Sequence, residues 1–135
     1  MTEFDFFRGR VAKEPKRDDS QFLCLHCDLG VFSASALSGP YGKGPLPKGR
    51  YKLGPLIDLN PETCNSGFRV GKIAFWIKLY PQFETDRTGL GIHPDGNIKG
   101  TLGCIGIHPD YAEIFYHLWK HLERMNELPE YLDVF

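Results

Sequence analysis

Ile73-Ala74-Phe75-Trp76-Ile77-Lys78-Leu79-Tyr80 is apolar nearly throughout and is bounded by Gly71 and Pro81. Eight residues rich in β-branched and aromatic side chains between two turn formers spell a buried strand, and the run is too short for a helix. It is expected at the centre of a sheet. Upstream, Phe4-Asp5-Phe6-Phe7-Arg8 reads as an opening strand, followed by a charged loop from Lys13 to Ser20 and strands over 22–29 and 31–37. The segment from Ser38 to Gly49 carries too much Gly and Pro to be anything but a loop, and it delivers Arg50-Tyr51-Lys52-Leu53 into a short strand. Downstream, Leu90 to His93 and Cys104 to Ile107 are short apolar pieces around a polar turn at Asp95-Gly96-Asn97, whose Asp-Gly pair suits a tight connection.

A single segment has helical periodicity. Tyr111, Ile114, Phe115, Leu118, Trp119, Leu122 and Met125 recur at three-and-four spacing, with Asp110 as the expected cap and Pro129 as the stop. The class is therefore mainly β with one C-terminal helix. A chain of 135 residues fits one domain, 1–135, and at that length buries roughly two-thirds of its unfolded surface.

Sixteen Lys and Arg against seventeen Asp and Glu leave a net charge of −1, so there is no electrostatic footprint for nucleic acid or anionic lipid. No apolar run has the length of a membrane span, and Met1-Thr2-Glu3-Phe4-Asp5 lacks the basic start and apolar stretch of a signal peptide. The expectation is a product made in the cytoplasm without such a signal, with no nucleic-acid partner and no membrane span.

Four cysteines stand at 24, 27, 64 and 104. Cys24-Leu25-His26-Cys27 has the two-residue gap of a zinc knuckle, but no second such pair follows. On a strand these two side chains point to opposite faces, which favours a structural reading. His117 and His121 share a helix face without a third ligand and read as solvated. No metal site or cofactor is expected.

Cys104 is different. In Gly91-Ile92-His93-Pro94-Asp95-Gly96-Asn97-Ile98-Lys99-Gly100-Thr101-Leu102-Gly103-Cys104-Ile105-Gly106-Ile107-His108 it is framed by glycine and apolar residues with a histidine on either side. A free thiol is only about 3% ionised at pH 7, so a nucleophilic cysteine needs an adjacent base. A histidine on a neighbouring strand is better placed than His108, four residues along, so His93 is the expected base, with His108 and then His26 behind it. Backbone N–H groups near Gly103 and Cys104 are candidate oxyanion donors. Thr101 is a candidate substrate contact or a turn-stabilising hydroxyl. Asp95 is a weaker candidate for orienting His93.

His93 followed by Gly100-Thr101-Leu102-Gly103-Cys104-Ile105 resembles the signature of the L,D-transpeptidase (YkuD-type) catalytic domain. The likeness is nearest a short-spaced branch that includes antibacterial effectors delivered by type VI secretion, a branch with a loop similar to Gly44-Pro45-Leu46-Pro47-Lys48-Gly49-Arg50-Tyr51. Two positions depart from the pattern: Leu102 stands where many members carry histidine, and Gly106 where many carry arginine. The resemblance implies a compact β-sandwich or barrel-like fold, with Cys104 as nucleophile and His93 as base. It also implies cysteine-dependent acyl transfer on peptidoglycan stem peptides, as L,D-carboxypeptidase, L,D-transpeptidase or D-amino-acid exchange. An effector of this kind acts in the periplasm of a target cell, and its expected partners are a secretion-machine component and an immunity protein. The competing readings are another cell-wall cysteine peptidase and a non-enzymatic binding module in which Cys104 is a structural thiol.

Overall fold

The computed structural model describes residues 2–8, 21–39, 41–97 and 100–135. The charged loop expected over 13–20 lies outside them. The chain runs β1 (Glu3–Phe7), β2 (Phe22–Cys27), β3 (Gly30–Ser38), β4 (Gly49–Asp58), a 3-10 turn (Ser66–Phe68), β5 (Arg69–Val70), β6 (Ile73–Pro81), β7 (Gly91–Pro94), β8 (Ile105–Ile107), α1 (Pro109–Arg124) and β9 (Tyr131–Val134). Neighbouring strands follow the order β4-β9-β1-β2-β3-β8-β7-β6, and a β4–β6 pairing joins the two ends. Eight strands thus close into a barrel-like sheet, which removes the open edges that would otherwise invite association. The fold is mainly β with one helix.

The apolar segment at 73–80 is β6, held between β4 and β7. Its alternation decides which side faces the core. Phe75, Ile77 and Leu79 are buried inward, whereas Lys78 and Tyr80 point out. Inward residues from the other strands, among them Phe4, Phe6, Leu23, Tyr51, Ile92, Ile105 and Leu132, complete one apolar core.

Three connections differ from expectation. Arg50 to Leu53 is only the first part of a ten-residue strand, which continues through Gly54-Pro55 because the pairing with β6 shifts register between Leu53 and Leu56. A bulge at that point absorbs a proline that cannot donate to the ladder. Tyr131–Val134, with no strong signal of its own, pairs parallel to β1 and antiparallel to β4 and so closes the ring. Asp95-Gly96-Asn97 is not a tight hairpin. β7 and β8 are parallel, with Ile92 opposite Ile105 and His93 opposite Gly106, so the chain must travel back before β8 begins.

The helix starts two residues earlier than expected. His108 is its cap, with Nδ1 accepting the Asp110 N–H at 3.0 Å, Pro109 opens it, and Asp110 sits in the first turn where its charge suits the helix dipole. It stops before Pro129. Asn126 takes a positive φ of 56°, while its N–H donates to Glu123 O and that of Glu127 to Leu122 O, a Schellman closure with asparagine in the glycine position. The buried stripe is Ala112, Phe115, Trp119 and Leu122; Tyr111, Ile114 and Met125, expected on that face, are exposed. Phe115 packs on Phe4, Phe32 and Phe75, rings from β1, β3 and β6, and on Trp119 one turn along the helix, so α1 seals the interior. No helix among the described residues is long and apolar enough to cross a membrane.

Candidate active site

Register brings the two principal candidates together. Ile92 and Ile105 face inward opposite each other. The alternation of strands then turns His93, Gly91 and Gly106 outward, and Cys104 sits at the bend that enters β8. Cys104 lies two residues before the partner of His93 on the adjacent strand, a diagonal of roughly 8 Å between Cα atoms. The site therefore sits on the outer wall of the barrel, at β6, β7 and β8, and not in its interior. Both side chains open into one cleft of about 500 Å³. Its apolar walls are Phe68, Trp76, Leu90 and Leu102, and its polar ones include Lys43, Asp86, Arg87 and Asp95.

His93 is only 6% exposed. The Trp76 indole stacks over its ring at 6.0 Å and 13°, and Phe68 meets it edge-on at 4.5 Å. Its Nδ1–H donates to Pro94 O at 2.7 Å, which leaves the lone pair on Nε2. Burial pulls its pKa down to about 4, only partly opposed by the Pro94 hydrogen bond. The imidazole is neutral at pH 7, in the tautomer a general base requires. A backbone carbonyl thus takes the orienting place considered for Asp95. The Asp95 carboxylate accepts the Gly100 N–H at 3.1 Å instead, and its backbone N–H donates to Ile107 O.

Cys104 is half-buried, and its thiol donates to Gly89 O at 3.4 Å. Burial pushes its pKa up, against lowering contributions from a Gly91 backbone hydrogen bond and the Arg87 charge. The resting pair is therefore thiol and neutral imidazole, not thiolate and imidazolium. Chemistry from this state requires the proton to leave sulfur as the sulfur attacks.

Thr101 resolves as the turn-stabilising hydroxyl. Its Oγ1 donates to Cys104 O at 2.6 Å and accepts from Gly39 N–H at 3.1 Å and Gly103 N–H at 3.2 Å. Two expectations change with that observation: the Thr101 hydroxyl is committed to backbone partners, and the Gly103 N–H is committed to Thr101, so it is not a ready oxyanion donor. Gly103 is needed for a different reason. Its φ is +131°, and a Cβ there would run into Arg87 Nη2. Thr101 N–H also donates to Gly39 O, and Tyr41 N–H to Thr101 O, stitching the Gly/Pro-rich loop onto the Cys104 turn.

The remaining histidines lie elsewhere. His108 caps α1, with its ring 5.9 Å from Tyr111 and its Nδ1 3.7 Å from the Asp110 carboxylate. Its Nδ1 is used by the helix start, and it is not among the residues that line the cleft with Cys104. His26 approaches Asp5 at 3.9 Å, and His117 approaches Glu113 at 3.7 Å. All four cysteines are unpaired, and Cys24 Sγ lies 3.1 Å from Ser33 Oγ. Trp76, Phe68 and Arg87 were not singled out from the sequence. Strict alternation along β6 places Trp76 on the face opposite Phe75 and Ile77, a usable signal, whereas Phe68 arrives from the 3-10 turn and Arg87 from a loop, with none. No protein-family model matches the chain, and no curated protein matches it.

Proposed function

We propose that this protein is a cysteine-dependent acyl-transfer enzyme of peptidoglycan stem peptides, acting as L,D-carboxypeptidase, L,D-transpeptidase or D-amino-acid exchanger. The observation that carries the reading is His93 on β7 and Cys104 at the bend that enters the adjacent β8, both opening into one cleft, with Nδ1–H held by Pro94 O. The resemblance of His93 and Gly100 to Ile105 to the YkuD-type signature supplies the substrate class.

In this mechanism Cys104 Sγ attacks the carbonyl carbon at the L-centre of the third-position diamino acid while its proton passes to His93 Nε2. The oxyanion is met by backbone N–H donors, with Cys104 N–H the candidate that remains once Gly103 N–H is engaged. The C–N bond breaks as His93 returns that proton to the D-alanine nitrogen, leaving a thioester. Water or an amine, deprotonated by His93, then attacks the thioester, and the proton restores the thiol. Since His93 is neutral and Cys104 is a thiol at rest, proton transfer accompanies attack. The antibacterial-effector reading extends this activity to the periplasm of a target cell, with delivery by a secretion machine and an immunity protein that blocks the cleft.

The raised thiol pKa favours one other reading, a binding module in which Cys104 is inert. Mass spectrometry of disaccharide-tetrapeptide incubated with wild type and Cys104→Ala, with and without added D-amino acid, separates them. Loss or exchange of one D-alanine by the wild type alone is the expected result; an unchanged substrate removes the enzymatic reading. Fusion to a periplasmic signal is expected to be toxic and cytoplasmic expression harmless, and equal toxicity in both compartments argues against a cell-wall target.

A further inference from the structure

The cleft contains one cation whose position is defined by more than its own side chain. Arg87 comes from the loop before β7. Its Nη1 donates to Lys43 O at 3.4 Å and Pro45 O at 3.3 Å, and its Nη2 donates to Gly44 O at 3.2 Å. Three backbone carbonyls therefore hold the guanidinium in place, a task that suits the rigid fork of arginine and not the single ammonium of lysine. The same Nη2 occupies the space a side chain at Gly103 would need. The residue just before Cys104 is thus packed directly against a fixed positive charge.

We infer that Arg87 is a positioning residue for Cys104: it clamps the 43–45 turn against Gly103 and holds a fixed positive charge beside the sulfur where negative charge develops. The inference rests on the proposed role of Cys104 as nucleophile. Arg87 acts through sulfur and turn, and the bonds to carbonyls 43–45 orient it without consuming its charge. Among the described residues, the titratable and charged groups sharing the cleft with Cys104 are Lys43, Asp86, Arg87, His93 and Asp95. Lys43 and Asp86 approach each other at 3.8 Å and are both exposed, so their opposite charges largely offset at the sulfur.

The test is the pH dependence of Cys104 alkylation by iodoacetamide, read by peptide mass spectrometry in the full chain for wild type, Arg87→Gln and Arg87→Lys. This readout needs no peptidoglycan substrate, so it stands or fails apart from the acyl-transfer assay. Arg87→Gln is expected to raise the alkylation midpoint by roughly half to one pH unit, a three- to tenfold slower reaction at pH 7. Arg87→Lys keeps a charge and is expected to recover part of that shift. A merely structural clamp would leave the midpoint unmoved in a folded Gln variant, and that result overturns the inference. Fold is checked in the same digest by continued protection of buried Cys24. Should the Gln variant not fold, the wild type decides: its midpoint is expected to rise between about 0.01 and 1 M salt as the Debye length shrinks from about 30 to 3 Å, and an unchanged midpoint overturns the inference.

Discussion

Replacing Thr101 by valine keeps the side-chain shape and removes the hydroxyl on which the Cys104 turn depends. The wild-type Oγ1 serves Gly39 N–H, Gly103 N–H and Cys104 O at 3.1, 3.2 and 2.6 Å, and Thr101 is 6% exposed. Each buried backbone group left without a partner costs about 1–3 kcal/mol. Partial relaxation of the turn lowers the sum, so the expected loss for Thr101→Val is about 3 kcal/mol. Thr101→Ser keeps the hydroxyl and deletes one buried methyl, for about 1 kcal/mol. With an m-value of about 1.5 kcal/mol/M, the urea midpoint falls by about 2 M in the valine variant and by less than 1 M in the serine variant. Equilibrium urea unfolding followed by tryptophan fluorescence measures both. Valine and serine variants of equal stability would refute the reasoning, because the hydroxyl would then carry no more than the methyl. The order of the two costs matters more than either value, since it separates polar satisfaction from packing.

Further outcomes follow from the cleft. Burial lowers the His93 pKa from 6.5 to about 4, so on acidification the unfolded chain takes up this proton first. Stability is therefore lost as pH falls from about 6.5 towards 4, by about 3 kcal/mol in total. His93→Gln should flatten that part of the urea-midpoint profile; a slope unchanged from wild type would show that other groups cause it. The acid limb of kcat/KM is expected near pH 4, and a limb near 6.5 would mean that His93 titrates as an ordinary imidazole in the free enzyme. Iodoacetamide should modify Cys104 more slowly at pH 7 than it modifies a free cysteine, with the rate still climbing above pH 9, because burial raises the thiol; faster labelling than free cysteine would contradict a neutral resting pair. Gly91→Ala places a Cβ 2.5 Å from the Trp76 ring, so it should displace the indole from His93, shift the tryptophan emission and lower the D-alanine release rate tenfold or more. Unaltered emission and turnover would show that the indole does not hold the imidazole.

Local signals account for much of the architecture. The apolar run at 73–80, the strands near 22–27 and 30–38 and the helix over 109–124 are legible because alternation and three-and-four spacing are properties of consecutive residues. Cys104 and His93 are likewise visible as residue types, and the structure brings them to one cleft. Asp110 and the exposed Tyr111, Ile114 and Met125 mark the limit of that reading. Periodicity identifies a helix, but the curvature of the sheet beneath it chooses which side is buried.

Pairing between distant segments was decided only in three dimensions. Tyr131–Val134 becomes a strand because β1 and β4 each leave it an edge, and β4 runs through Pro55 because its long pairing with β6 tolerates a bulge. Asp95-Gly96 looks like a hairpin turn, yet Ile92 and Ile105 meet in parallel, which moves Gly96 against the backbone of Ser66 and Arg69. The same long-range packing commits the Thr101 hydroxyl, brings Arg87 onto Gly103 and slots His93 between Trp76 and Phe68. The sequence by itself determined most of the strand segments and the helix and marked Cys104 and His93 as candidates, since each of these is written in neighbouring residues. Ring closure, strand direction and the surroundings that leave thiol and imidazole neutral belong to the tertiary structure, because they depend on contacts between residues tens of positions apart that no local pattern encodes.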